Sequence, residues 1–220
     1  MNDHYYTAEP ASAHAVRAIR VSALGVDAAF ETDAGVFSRD DLDVGTRALL
    51  EALPPLSGRV LDLGCGWGPV GTLLGKRDPA LAIVMSDVNS RAVELAARNA
   101  RANGVSAQTV QSDAFENVSG EFDAILTNPP IRAGKAVIYG MFLEAKKHLA
   151  PGGKLYIVIR KQQGAPSALK MLREHYASCE VIDRRAGFWV LCARDYLGIC
   201  PFAAPRKSGI IILEPQFSGE

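Results

Sequence analysis

From residue 58 onward, short apolar runs alternate with stretches in which apolar residues recur every three or four positions. The runs Arg59 to Leu63, Ala82 to Ser86, Ala107 to Gln111, Phe122 to Thr127 and Leu155 to Ile159 are bounded by Gly, Pro, Asp or Asn and read as buried strands. Helical periodicity covers Pro69 to Arg77, Ser90 to Asn103, Val137 to Leu149 and Ser167 to Tyr176, with an earlier helix expected over Val44 to Leu53. Ser90 and Ser167 stand where N-caps belong, and Gly104 where a helix stops. Val181 to Arg184 and Phe188 to Ala193, separated by a few residues around Gly187, predict an antiparallel hairpin closing the sheet.

Strands and helices in this alternation build an α/β fold of the Rossmann-like kind, a mostly parallel seven-stranded sheet with helices on both faces. Residues 1–29 show no strong period. Tyr196 to Glu220 holds three prolines and an isolated apolar run, Gly209 to Leu213, which fits either an added edge strand or a poorly ordered tail. The expected organisation is one domain over 1–195: an N-terminal segment, 1–57, packed on the ligand site, then a core, 58–195. Residues 196–220 form an extension whose role the sequence leaves open.

Composition acts mainly by exclusion. Lys plus Arg equal Asp plus Glu at 24 each, so a nucleic-acid partner would be held by a local patch rather than a globally basic surface. Cys65, Cys179, Cys192 and Cys200 form no C-x-x-C pair, and His4, His14, His148 and His175 are scattered, so neither a metal site nor a disulfide framework is expected. No run approaches the roughly 18 to 20 apolar residues of a membrane helix, and the first residues lack the basic and apolar regions of a signal peptide. The expectation is a cytoplasmic protein with no membrane partner; its oligomeric state is not legible.

The first strand runs into Asp62-Leu63-Gly64-Cys65-Gly66-Trp67-Gly68-Pro69, a glycine-rich turn that opens a helix and lets a ligand approach the backbone. Gly66, Gly68 and Gly71 have G-x-G-x-x-G spacing, which also fits a nicotinamide cofactor. Asp62 separates the cases, because a carboxylate beside the loop opposes a pyrophosphate but suits the ammonium and sulfonium groups of S-adenosylmethionine. Asp87, at the end of the second strand, stands where an acid in this fold bonds ribose hydroxyls. Val88 is then placed against the adenine ring, with Asp113 and Ala114 after the third strand at its amino group and other side.

After the fourth strand comes Thr127-Asn128-Pro129-Pro130-Ile131. Two prolines fix an outward-facing turn that neither continues a sheet nor starts a helix at once. Such a turn presents the Asn128 side-chain oxygen and the Pro129 carbonyl as acceptors for an exocyclic NH2, aligning its nitrogen with a methyl donor. No strong general base is needed, since the proton can leave after transfer.

Together, VLDLGCGWGP, SDVN, SDAF and TNPPI resemble the motifs of class I methyltransferases that modify planar amino groups. The segment Phe30 to Ser38, followed by Leu42-Asp43-Val44-Gly45-Thr46, and the stretches IRAGK and IRKQQGAPS, resemble the catalytic domain of the small-subunit (16S) ribosomal RNA guanine-N2 methyltransferases. The resemblance covers about residues 4 to 194. It implies that Phe37, Ser38 and Gly45 lie beside the cofactor together with Asp62, Gly64, Cys65, Gly66 and Asn128, that Phe37 is near the methyl-transfer centre, and that Asn128 to Ile131 form the catalytic turn. It also implies an RNA partner, ribosomal RNA or a ribosomal subunit. Longer members of that family carry a second, inactive copy of the domain, for which this sequence has no room.

Ile131 replaces the aromatic residue that related enzymes acting on adenine or on protein glutamine use for stacking; with Phe37 it is expected to contact the substrate, its aliphatic side chain against a base face, and Arg132, Lys135, Arg160 and Lys161 are placed to meet phosphates. Guanine in RNA is therefore favoured over glutamine N5 of a protein, which stays the alternative. An inactive cofactor-binding RNA module would be expected to have lost the glycines, Asp87 or Asn128, and all are present.

Overall fold

A computed structural model describes residue 8 and residues 12–195. The apolar run Gly209 to Leu213 and the rest of the C-terminal extension lie outside the described residues.

Seven strands form the main sheet: β3 (Arg59–Leu63), β4 (Ala82–Asp87), β5 (Ala107–Gln111), β6 (Phe122–Thr127), β7 (Leu149–Arg160), β8 (Ser178–Arg185) and β9 (Phe188–Arg194). Their order is β5-β4-β3-β6-β7-β9-β8. The first five run parallel, and β9 is antiparallel to both β7 and β8, so the expected hairpin enters the sheet with β9 inside and β8 at the edge. The chain starts at β3 and winds outward both ways, and the switch point between β3 and β6 opens a crevice at the strands' carboxyl ends.

Helices α1 (Val44–Ala52), α2 (Pro69–Arg77), α3 (Ser90–Ala102), α4 (Lys135–Ala145) and α5 (Ala165–His175) cover the sheet. Two apolar clusters form, one holding Leu49, Leu73 and Leu95, the other Phe142, Leu172 and Ile157. β3, β6 and the Leu155–Ile159 part of β7 are buried almost along their whole length, which is why they read as continuous apolar runs, whereas β7 itself begins earlier, at Leu149.

Several local expectations are corrected. α3 is capped by Asn89, not Ser90: the Asn89 Oδ1 accepts the Ala92 N–H at 3.2 Å, while its Nδ2 donates to Gly35 O at 2.9 Å. Gly164, in the left-handed region at φ 109°, begins α5, and the Ser167 hydroxyl donates back to its carbonyl at 2.9 Å. α4 starts earlier than predicted and ends at Ala145, where a tighter turn over Lys146–His148 takes over. At the end of α3 the expected stop holds, because Gly104 (φ 72°) lets the Val105 N–H reach Ala100 O at 2.9 Å and its own N–H reach Arg101 O at 3.0 Å.

The larger correction lies before residue 44. β1 (Arg17–Ala23) and β2 (Val26–Thr32) form a separate antiparallel hairpin. Their burial alternates as strands require, but with Ala at two inward positions, Ala23 and Ala28, and at two outward ones, Ala18 and Ala29, the alternation is faint in the sequence. The turn is Leu24-Gly25, both at positive φ, and Leu is a poor signal for such a turn. The free edge of β2 is paired by side chains: Asn99 bonds the Glu31 N–H and C=O, each at 2.8 Å, and Asn103 bonds those of Ala29 at 3.2 and 2.7 Å. One on α3 and the other at its C-cap, these two amides satisfy backbone groups that an edge strand otherwise leaves to solvent.

Candidate active site

The loops after β3, β4, β5 and β6, with the segment between β2 and α1, enclose a cavity of about 470 Å³. That volume lies within the range of small-molecule sites, about 300 to 1,000 Å³. Among its lining are Phe37, Ser38, Asp62, Gly64, Cys65, Gly66, Asp87, Val88, Asp113, Ala114, Asn128, Pro130 and Arg132. These residues span much of the sequence and meet because every strand concerned ends on the same side.

The loop glycines divide into two kinds. Gly64 (φ 75°) and Gly66 (φ 55°) have open space where a side chain would stand, as a wall that a ligand approaches closely should have. At Gly68 (φ 83°) a Cβ would come within 2.9 Å of the Ala96 backbone, and at Gly71 within 2.6 Å of the Met85 side chain, so these two permit helix packing. The loop amides are already engaged: the Gly64 and Cys65 N–H groups donate to Ser86 O, Gly66 to Asp87 Oδ2 and Gly68 to Cys65 O, at 2.8 to 3.0 Å. Those four are not available to cradle a phosphate. The lining carries four aspartates (Asp43, Asp62, Asp87, Asp113) against one arginine, Arg132. This is the wall for a cationic ligand and a poor one for a dinucleotide.

Asp62 is buried under the first turn of α2, accepting the Gly71 N–H at 3.1 Å. Burial pushes its carboxyl up from the ordinary 3.8 to about 7, with the Asp87 charge adding to the effect. Asp87 is also raised by burial, against the pull of hydrogen bonds from the Asn89, Gly66 and Val88 N–H groups. Burial holds the Cys65 thiol well above its usual range, so it stays neutral. The Ser86 hydroxyl in the cavity wall is buried with no hydrogen-bond partner among the described residues. A buried acid lacking a cation, an unpartnered hydroxyl and two open glycines fit the ammonium and ribose of an adenosyl amino acid.

Asn128 reaches the opposite wall, its Nδ2 donating to Asp43 Oδ2 at 2.9 Å and Thr46 Oγ1 at 3.0 Å. Asp43 and Thr46, both lining the cavity, were not assigned roles from the sequence; the signal available was an acid at an N-cap three positions before a hydroxyl. Ser38 (φ 53°) and Ala114 (φ 46°) sit in the left-handed region at the cavity wall, where strained backbone tends to collect. Ser38 is held there by the Trp67 Nε1–H donating to its carbonyl at 3.2 Å.

Other expected residues lie elsewhere. Gly45 is not in the lining: a Cβ there would stand 2.8 Å from the Phe188 ring, so the missing side chain seats the β8–β9 hairpin against α1. Pro129 is buried outside the lining, and Ile131 packs on the α4–α5 cluster instead of facing the cavity. Lys135, Arg160 and Lys161 are exposed outside the cavity, Arg160 lying 5.7 Å from the Phe188 ring centre, while Arg132 alone of the four cations reaches the lining. Among the described residues no group of His, Cys, Asp and Glu has the makings of a metal site, and no helix is long and apolar enough to cross a membrane.

The sequence profile described as Methyltransferase small domain matches residues 27–192. The chain is 40% identical over 199 residues to the uncharacterized protein YbxB of Bacillus subtilis, covering 88% of this chain and 99% of that protein. It is 38% identical over 165 residues to ribosomal RNA small subunit methyltransferase C of Pasteurella multocida, covering 73% of this chain and 49% of that enzyme. In solved structures it is similar to the T. thermophilus 16S rRNA N2 G1207 methyltransferase (RsmC) in complex with AdoMet and guanosine, with a TM-score of 0.72 and 27% identity over 84% of this chain and 52% of that one. It thus spans nearly all of YbxB but about half the length of the ribosomal RNA enzymes. With this profile, the β5-β4-β3-β6-β7-β9-β8 sheet and the cationic-ligand cavity, the chain belongs to the methyltransferase small domain family and is a class I S-adenosylmethionine-dependent methyltransferase.

Proposed function

We propose that the protein methylates an exocyclic amino nitrogen, and that its target is guanine N2 of ribosomal RNA. The observation that carries the reading is Asn128 lining the same cavity as Gly64, Gly66 and Asp87. Bound in the cavity, S-adenosylmethionine supplies an electrophilic methyl group on its sulfonium sulfur.

Asp62 meets the amino acid's ammonium, Asp87 the ribose hydroxyls, and Val88, Asp113 and Ala114 the adenine. Asn128 accepts a hydrogen bond from the target NH2, and this bond strengthens as the nitrogen becomes tetrahedral and positive. Phe37, 39% exposed and lining the cavity, gives a flat apolar surface for the base, and Arg132, also in the lining, meets a phosphate. Lys135, Arg160 and Lys161 extend that cationic contact outside the cavity.

The guanine target is supported by likeness to enzymes described as acting on small-subunit ribosomal RNA. The test is mass spectrometry of ribosomal RNA nucleosides from cells with and without the gene, paired with transfer of labelled methyl to small subunits by the purified protein. Loss of N2-methylguanosine together with transfer supports the reading. Unchanged RNA with a methyl group lost from a protein glutamine replaces it.

A further inference from the structure

Both N–H bonds of the Asn128 amide are directed at the start of α1, from positions 85 and 82 residues apart in sequence. The Asp43 oxygen that accepts one of them also accepts the Thr46 backbone N–H at 2.9 Å. One carboxylate oxygen therefore caps α1 and holds Asn128. α1 is itself fixed, with Leu49 and Leu50 fully buried and Gly45 closed against Phe188.

An asparagine amide can turn over about its last torsion, exchanging oxygen for NH2 at almost no cost in shape. Turned over, Asn128 would set its Oδ1 against the Asp43 carboxylate, acceptor facing acceptor in a partly buried site, and leave that carboxylate oxygen one donor short. Its NH2 would then face a target NH2, donor to donor. With Nδ2 engaged twice, Oδ1 is the atom left for a ligand.

We infer that Asp43 and Thr46 are positioning residues for methyl transfer, locking the Asn128 carbonyl oxygen toward the target amino group. This rests on the reading of Asn128 as the acceptor for that group.

The test uses the intact chain with three substitutions. Asp43→Ser keeps a capping oxygen but is too short to reach Asn128. Asp43→Asn keeps an oxygen able to accept from both Thr46 and Asn128, and Thr46→Val removes the second acceptor at similar volume. Three quantities are read: S-adenosylmethionine affinity by calorimetry, single-turnover methyl transfer to small ribosomal subunits at saturating cofactor, and the side-chain amide ¹H–¹⁵N signals of Asn128, identified by their loss in Asn128→Ala.

Asp43→Ser should shift the Asn128 amide signals and slow transfer at saturating cofactor roughly 10- to 100-fold. Thr46→Val should do the same to a smaller degree, and Asp43→Asn should restore both signals and rate. Unchanged amide signals in Asp43→Ser would overturn the lock, and shifted signals with parental transfer would overturn its role in the reaction. A loss in Asp43→Asn equal to that in Asp43→Ser would show that charge, not amide orientation, is what Asp43 supplies. If the parent itself leaves small subunits unmethylated, the ribosomal reading fails, and the amide signals alone sustain or overturn the lock.

Discussion

Replacing Asp62 with Asn should raise the stability of the ligand-free protein while lowering its affinity for S-adenosylmethionine. The folded protein holds the Asp62 proton up to about pH 7, whereas an unfolded chain gives it up at the ordinary 3.8. The folded state thus binds more protons between those values, and stability falls as pH rises through that window. Above pH 7 the ionisation of Asp62 costs the fold about 4 kcal/mol. Asparagine keeps an oxygen for the Gly71 N–H and carries no charge, but its NH2 must be buried, at a cost of roughly 1 to 3 kcal/mol if it finds no partner.

At pH 8 the variant should therefore be more stable by about 1 to 3 kcal/mol. Its advantage should shrink by about 3 kcal/mol on going to pH 5, where folded Asp62 is already neutral. In the complex the order reverses, because a ligand ammonium loses a charge-assisted partner worth about 1.5 to 3 kcal/mol, or roughly 10- to 100-fold in affinity. Urea denaturation at the two pH values and calorimetry with the cofactor at pH 8 measure both halves. An Asn variant less stable at both pH values would refute the account of Asp62 as an ionised acid held at a cost. Parental cofactor affinity would remove it from the ammonium site.

Asn128→Ala should keep most cofactor affinity yet slow methyl transfer roughly 100-fold or more in single-turnover measurements, the usual scale for losing one preorganised polar contact. Gly66→Ala and Gly68→Ala should fail differently: the first loses cofactor affinity in calorimetry with a stability loss near 1 kcal/mol, because its Cβ meets only open cavity. The second should lose about 2 to 4 kcal/mol in denaturation, since its Cβ meets the Ala96 backbone at 2.9 Å. Changing Arg132 and Lys135 together to Ala should flatten the salt dependence of RNA binding, as read by filter binding over a salt series, while cofactor affinity stays.

The centre of the parallel sheet was legible because its strands are buried on both faces, so β3, β4, β6 and the Leu155–Ile159 part of β7 announce themselves as apolar runs. The ligand side of the site was legible for a related reason: Asp62, Gly64, Gly66, Asp87 and Asp113 each sit within a few residues of a strand's end, and topology decides where such residues meet. The β1–β2 hairpin was not, since its edge is paired by Asn99 and Asn103 about 70 positions away, and no local pattern encodes a partner at that distance. Gly45 was misplaced for a similar reason. A glycine beside a ligand and a glycine under a phenylalanine ring look alike until Phe188 is seen against it. Asp43 reads in sequence as an ordinary helix cap, and its second task appears only when Asn128 is brought to 2.9 Å.

These two kinds of legibility follow a physical division of the cavity. The wall built by the strand-end loops is fixed by the sheet, and its charge suits a cationic cofactor whatever the acceptor. The facing wall, Phe37 to Thr46, comes from the segment between β2 and α1, and that segment is joined to the first by contacts that include Trp67 Nε1 on Ser38 O, Asn89 Nδ2 on Gly35 O, Arg91 on Ala34 O, and Asn128 on Asp43 and Thr46. By the roles given to them, Asp62 and Asp87 should act on cofactor affinity and Asp43 and Asn128 on the transfer step, so substitutions at the two pairs should be separable. Trp67 is the exception. Its indole holds Ser38 in a strained conformation from beneath, and its carbonyl is held by Asn99, so disturbing it should affect cofactor affinity and transfer together.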